Sequence, residues 1–254
     1  MSSNYVIGLI SFAAIFGGVL IGRFAANRLP GHHLSSETQS VITVSVAVIG
    51  TLSALVLGLM ITAAYSSFSA RSDQVRELSV QLIRVERNLR RYGPEAIEAR
   101  ATLHIWAIAK MQELFPEKGK PTISSETTIQ MLENVQDAVL DLTPQNERQK
   151  YLRTLCLTLS STMIQARWSL EERTGHSTPI PFLVLLIFWL AIVFVSFGLF
   201  APGNPTAIAA LLLCSLAVSG GIALIEDLSN PHSGLIQFPL EPMRKALSEI
   251  EQPL

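Results

Sequence analysis

Residues 41–91 read VITVSVAVIGTLSALVLGLMITAAYSSFSARSDQVRELSVQLIRVERNLRR, and this stretch decides the fold. From Val41 to Tyr65 there is no Asp, Glu, Lys, Arg or His. A helix crosses the hydrocarbon core of a bilayer with roughly 20 such residues, so this is a membrane span. Ser66, Ser67, Phe68, Ser69 and Ala70 then carry the chain, without a proline, into a charged segment. There Val75, Leu78, Leu82, Val85 and Leu89 recur at three- and four-residue steps among Asp73, Arg76, Glu77, Arg84, Glu86, Arg87, Arg90 and Arg91. That is the pattern of a bundle helix with a charged, solvated face, on which Glu86 and Arg90 stand at a favourable four-residue spacing. The expectation is one rod that begins in lipid and ends in water.

Three more segments are long and apolar enough to span: about Tyr5 to Phe24, Pro181 to Phe200 and Thr206 to Ile225. Hydrophobic residues make up 49% of the chain and charged residues 15%, which agrees with a membrane protein. No Lys or Arg precedes the first segment and its apolar run is too long for a signal-peptide core, so it reads as a retained span. Four spans bring both termini to one side. Arg71, Arg76, Arg84, Arg167, Arg173, Arg244 and Lys245 lie on that side; Arg23 and Arg28 are the cations between spans one and two, and the Ala201–Pro205 hairpin has none. The excess of basic residues places the termini and the middle domain in the cytoplasm.

The middle domain reads as helices only. Gly93 ends the rod and Pro94 starts the next helix, which runs to about Leu114 with Ala96, Ala99, Leu103 and Trp106 on one face. A Pro-, Gly- and Lys-rich loop, 115–122, leads to a third helix from Ser125 to Leu142. Thr143 as N-cap and Pro144 as first helical residue open a fourth helix, to about Arg173, with Leu152, Leu155, Leu159, Met163, Ala166 and Leu170 in register. Four amphipathic helices with short loops make an antiparallel bundle. Trp106 and Trp168 read as core or interface anchors.

Several function classes find no support. The net charge of −1 and the lack of a basic run interleaved with aromatics give no reason for a nucleic-acid partner. Cys156 and Cys214 are too far apart to indicate a disulfide framework. No paired carboxylates, nucleophile with base, or phosphate-cradling glycine loop is present, so an enzyme is not expected and no cofactor or metal is assigned. His32 and His33 with Glu37 invite a metal-dependent membrane enzyme, but adjacent histidines rarely converge on one ion and a third strong ligand is missing. Glu226 and Asp227 are too few for a calcium site and read as a solvated helix end.

Small residues mark contacts between spans. Ala14, Gly18 and Gly22 on the first span, and Ser215, Ser219, Gly220 and Gly221 on the fourth, permit close backbone approach. The third span, with Phe182, Phe188, Trp189, Phe194, Phe197 and Phe200, is apolar all round and reads as lipid-facing. Ser35 or Ser36 caps the second span; Asn204 and Pro205 cap and start the fourth. Along the second span, Ala47, Thr51, Ala54, Gly58, Thr62, Tyr65 and Ser69 form a small, hydroxylated track, and Val48, Leu52, Val56 and Met60 a smooth apolar one. Either could face a shared pathway, the first as a wet path and the second as a dewetting neck.

The chain resembles a bacterial bestrophin-like membrane protein family, catalogued as a domain of unknown function. The matching stretches are LPGHHL (Leu29–Leu34), TLSALVLGLMI (Thr51–Ile61), RYGPEAIEAR (Arg91–Arg100), QARW (Gln165–Trp168), PFLVLLIFWL (Pro181–Leu190), SFGLFAPGN (Ser196–Asn204) and DLSNPHSGLI (Asp227–Ile236). The likeness extends distantly to bestrophins, ring-shaped, usually pentameric anion channels whose second membrane helix lines the pore. Bestrophins carry an acidic residue shortly before a Pro-Phe-Gly turn; here Asp227 and Pro231 fit, but His232 and Ser233 replace Phe and Gly.

The resemblance implies an all-α membrane protein with four transmembrane helices and a cytosolic antiparallel helical bundle inserted between the second and third spans. Its expected parts are residues 1–65, the first two spans and external loop; 66–179, the bundle; 180–227, the last two spans; and 228–254, a cytosolic tail. It implies a homo-oligomer, pentameric by the resemblance, in the bacterial inner membrane, passing small inorganic anions such as chloride. The pore-lining candidates are Thr51, Leu55, Gly58, Thr62, Tyr65, Phe68 and Ser69, with Arg71, Asp73 and Arg76 at the mouth. The alternative is a membrane-anchored sensor or protein-interaction module without transport.

Overall fold

The computed structural model describes residues 3–30, 35–116, 123–174, 180–229 and 239–250, with backbone alone at 3–5 and 166–174. Every regular element among them is helical. They are α1 (Ser3–Arg28), α2 (Ser36–Tyr92), α3 (Ile97–Leu114), α4 (Ser125–Leu140), α5 (Glu147–Thr174), α6 (Ile180–Phe200), α7 (Pro205–Ser229) and α8 (Glu241–Ile250). Four of them, α1, α2, α6 and α7, are long and apolar enough to cross a membrane. The chain separates into two compact units, Met1–Phe68 with His176–Gln237, and Ser69–Gly175 with Phe238–Leu254. α2 is unbroken and contributes to both.

In the first, or membrane, unit the small residues of α1 set the packing. A Cβ at Gly22 would stand 2.0 Å from the Val195 carbonyl oxygen, and one at Gly18 2.8 Å from that of Ala191. From the other side, a Cβ at Gly198 would stand 2.2 Å from the Val19 carbonyl oxygen. Glycine is therefore required here by close backbone approach, the source of attraction between helices when lipid is as apolar as the side chains. Gly18 opposite Ala191 and Gly22 opposite Val195 also mean that α1 and α6 run parallel. The core of this unit joins Ile15, Val19, Val46, Met60, Leu186, Phe194, Ile222 and Ile225.

Both expected spans start where capping chemistry allows. Ser35 caps α2, its Oγ accepting from the Thr38 N–H at 3.3 Å. Asn204 Oδ1 accepts from the Ala207 N–H at 3.0 Å, with Pro205 first in α7. On α7, Ser215 and Ser219 are buried, whereas a Cβ at Gly220 or Gly221 would meet nothing within 4 Å. Asp227, expected at a solvated helix end, is buried. Among the described residues no three His, Cys, Asp or Glu converge as a metal site. His32, His33, Pro231, His232 and Ser233, and the side chain of Trp168, lie outside the described residues.

The bundle unit closes on leucines. Leu78, Leu82, Val85 and Leu89 of α2 meet Ala96, Ala99, Leu103 and Trp106, and Leu132, Val135 and Val139 of α4, in one buried cluster, and Val75 is buried as well. Leu152, Leu159 and Met163 of α5 complete it. Trp106 Nε1–H donates to the Thr128 carbonyl at 3.0 Å, which satisfies the one polar atom of a fully buried indole. The Cys156 thiol is buried in the same cluster and burial pushes its pKa up to about 12, so it behaves as a small apolar group.

Two expectations for this unit change. α5 starts at Glu147, not at Pro144: Asn146 Oδ1 accepts from the Gln149 N–H at 2.8 Å, and Gln149 Oε1 accepts in return from the Gln145 N–H at 2.7 Å. This reciprocal cap takes more orphan donors than Thr143 and Pro144 would, and leaves them in the connecting turn. Glu86 is buried, not solvated, and holds Arg100 of α3, with Nε donating at 2.8 Å. Beyond residue 238, α8 seats Met243, Ala246 and Ile250 in the bundle core.

Candidate functional site

The candidate pathway residues lie on α2, and their exposure follows from which side of that helix its neighbours cover. Val46, Met60 and Ala64 are buried in the membrane unit, with Ile42, Ile49, Val56, Leu57 and Phe68 packed against them. With the buried Ser53, these positions form one face of the helix. The opposite face is left open: Thr51, Leu55, Gly58, Thr62 and Tyr65 are all exposed. Leu59, which was not among the candidates, belongs with them at 69% exposure. Its place four residues after Leu55 was the available signal.

The two tracks of the second span behave differently. Steps of four only overshoot a helical turn by about 40° each, so the apolar track winds around the helix. Val48 and Leu52 are exposed, Val56 is half-buried and Met60 is in the core. The small track alternates four- and three-residue steps and keeps to the open face from Ala47 to Tyr65. Gly58 is not placed there by close packing, since a Cβ would meet nothing within 4 Å.

The open face combines hydroxyls with large apolar side chains. Thr51 Oγ1 donates to the Ala47 carbonyl and Thr62 Oγ1 to the Gly58 carbonyl, each at 2.9 Å. Their O–H protons are thus returned to the helix, while the oxygens face outward. Leu55, 66% exposed, lies between them. Phe68 differs from the other candidates, because it turns partly into the membrane-unit core. In the bundle-unit part of α2, Ser69 is half-exposed, Arg71 is buried, and Asp73 and Arg76 are exposed. No charged side chain stands on the open face between Ala47 and Ser69.

A family model described as Bestrophin-like domain matches residues 13–243. The chain belongs to the bestrophin-like family. Solved structures share its fold at low identity. A bacterial bestrophin homologue from Klebsiella pneumoniae is 17% identical in one variant, with a TM-score of 0.63, 99% of this chain and 100% of that one being covered. A second variant of that homologue is 15% identical at a TM-score of 0.64, covering 96% and 99%. The crystal structure of another membrane protein is 14% identical at a TM-score of 0.65, covering 95% and 96%. No curated protein matches the chain. The family and the four apolar helices make this a membrane protein.

Proposed function

We propose that the chain assembles as a homo-oligomer, a pentamer by family likeness, around a central pathway for small inorganic anions such as chloride. The open face of α2, with Thr51, Leu55, Gly58, Thr62, Tyr65 and Ser69, lines that pathway in this reading, and Phe68 flanks it. One observation carries it: a hydroxyl-bearing face, free of charge, stays uncovered along the membrane part of α2, opposite the side on which Val46, Met60 and Ala64 pack inside its own unit. It is a channel rather than an enzyme, without cofactor or nucleic acid.

Leu55 and Leu59, projecting from that face, form an apolar constriction that wets only when an ion pays for its dehydration elsewhere. Thr51 and Thr62 supply that compensation by rotating an O–H away from its own carbonyl toward the anion. Arg76 at the mouth raises the local anion concentration and Asp73 opposes it; Arg71, being buried, acts through the shape of the mouth. By the distribution of basic residues, both termini, the bundle of residues 66–179 and the segment 228–254 lie in the cytoplasm, and residues 1–65 and 180–227 span the inner membrane.

The protein reconstituted in a planar bilayer is expected to carry chloride current, and Leu55→Thr to raise the conductance. A silent bilayer formed with intact oligomer would leave the protein as a membrane-anchored sensor or interaction module.

A further inference from the structure

A groove of about 680 Å³ opens in the membrane unit between α2, α6 and α7, at the end where residues 201–204 turn α6 into α7. It exists because its walls carry small residues, Ala47 and Gly50 on α2 and Ala207 and Ala210 on α7. A Cβ at Gly50 would meet nothing within 4 Å, so packing within the chain does not demand the space. The lining is mainly apolar, and its amide Gln39 and hydroxyl Thr43 stand in the first turns of α2, at the hairpin end.

A cation is held at the same end. Arg23 Nη1–H donates to the carbonyl of Ala201, itself part of the groove wall, at 3.3 Å. Its Nη2 lies 3.0 Å from where a Cβ would stand at Gly203, so the missing side chain gives the guanidinium its room. Arg has five N–H donors, and the carbonyl takes one. An Arg side chain near a helix end reaches the headgroup level, where anionic phosphate is a partner of opposite sign. Among the described residues of this end the other charged groups are Arg28, stacked over the Phe24 ring at 4.8 Å, and Glu37, so the balance is positive.

An apolar channel between membrane helices with a pinned guanidinium at one end is complementary to a lipid tail and its phosphate. We propose that the groove binds an anionic phospholipid, with one acyl chain along Ala47, Gly50, Ala207 and Ala210 and the phosphate against Arg23 and Gln39. The site adjoins the open face of α2 at Ala47, and its occupancy does not depend on conduction.

The test uses the full chain in mild detergent, incubated with phosphatidylglycerol or phosphatidylcholine of equal chain length and weighed by native mass spectrometry. Phosphatidylglycerol is expected to be retained about fivefold better, the size of one basic residue acting on an anionic headgroup. Arg23→Gln should erase that preference. Gly50→Leu and Ala210→Phe, which fill the groove from opposite walls, should each lose both lipids without altering the assembly. Equal retention of the two lipids by the unsubstituted chain overturns the headgroup assignment. Undiminished binding to both filled variants places the lipid elsewhere. If either filled variant instead dissociates the assembly, the groove is a contact between copies and the proposal fails.

Discussion

Leu55 and Leu82 belong to the same helix, yet the first is 66% exposed and the second fully buried. The two units are held together by different residues. In the bundle unit large aliphatic side chains interlock, and the glycine between α2 and α3 serves the turn, with φ 130° at Gly93. In the membrane unit the decisive contacts are made where side chains are absent, at Gly18, Gly22 and Gly198. Against lipid an exposed leucine costs nothing, so attraction comes from backbones brought close. The comparison teaches that burial of leucine reports stability in one unit and very little in the other.

The strongest way to break that comparison is Gly22→Leu. Its Cβ would fall 2.0 Å from a backbone oxygen of α6, which cannot move aside like a flexible side chain. The expected outcome is loss of the folded peak in fluorescence-detected size exclusion. Gly58→Leu, where a Cβ meets open space, should keep the peak. A normal profile for Gly22→Leu would show that α1 and α6 are not held by close approach.

Leucine truncations sharpen the same contrast. Leu89→Ala, at a position with no exposure, should cost about 2–5 kcal/mol. Leu55→Ala should stay within about 0.5 kcal/mol, although it removes as many atoms. Thermal unfolding of the two variants side by side reads the difference, and equal losses would mean that the open face of α2 is covered by something. Next comes Arg100→Ala. It leaves the Glu86 carboxylate, whose side chain is 6% exposed, without the guanidinium 2.6 Å away, at a cost of about 3 kcal/mol. Adding Glu86→Gln should recover part of that loss, which a purely steric role for Arg100 would not allow.

Much of this was legible in the residues because each solvent leaves its own pattern. The seam from Val75 to Leu89 was readable since an apolar period beside charges has one plausible inside. Ala14, Gly18 and Gly22 were readable since small residues at helical spacing mean approach. The inner face of the second span was not, because lipid-facing and core-facing residues there are equally apolar; only packing distinguishes Met60 from Leu59. Glu86 was misplaced on a solvated face because its partner, Arg100, lies fourteen residues on and across a turn. α8 escaped notice because a ten-residue helix offers only Met243, Ala246 and Ile250 as evidence.

The start of α5 offers the smallest and cleanest test, since two caps compete within four residues of sequence. Thr143 followed by Pro144 has the right composition for a helix start, but Asn146 has the partners. With the helix beginning at Glu147, the Gln149 N–H is satisfied by Asn146 Oδ1, and Gln149 then reaches both back to Gln145 and across to the Tyr92 carbonyl, at 3.1 Å. That second bond ties the cap to the end of α2, so the choice of start also fixes how α5 joins the bundle. Asn146→Ala should therefore cost about 1 kcal/mol, the loss of one N-cap, whereas Thr143→Ala should change nothing measurable. A lower melting temperature for Thr143→Ala, with Asn146→Ala silent, would return the cap to the earlier threonine and detach α5 from the end of α2.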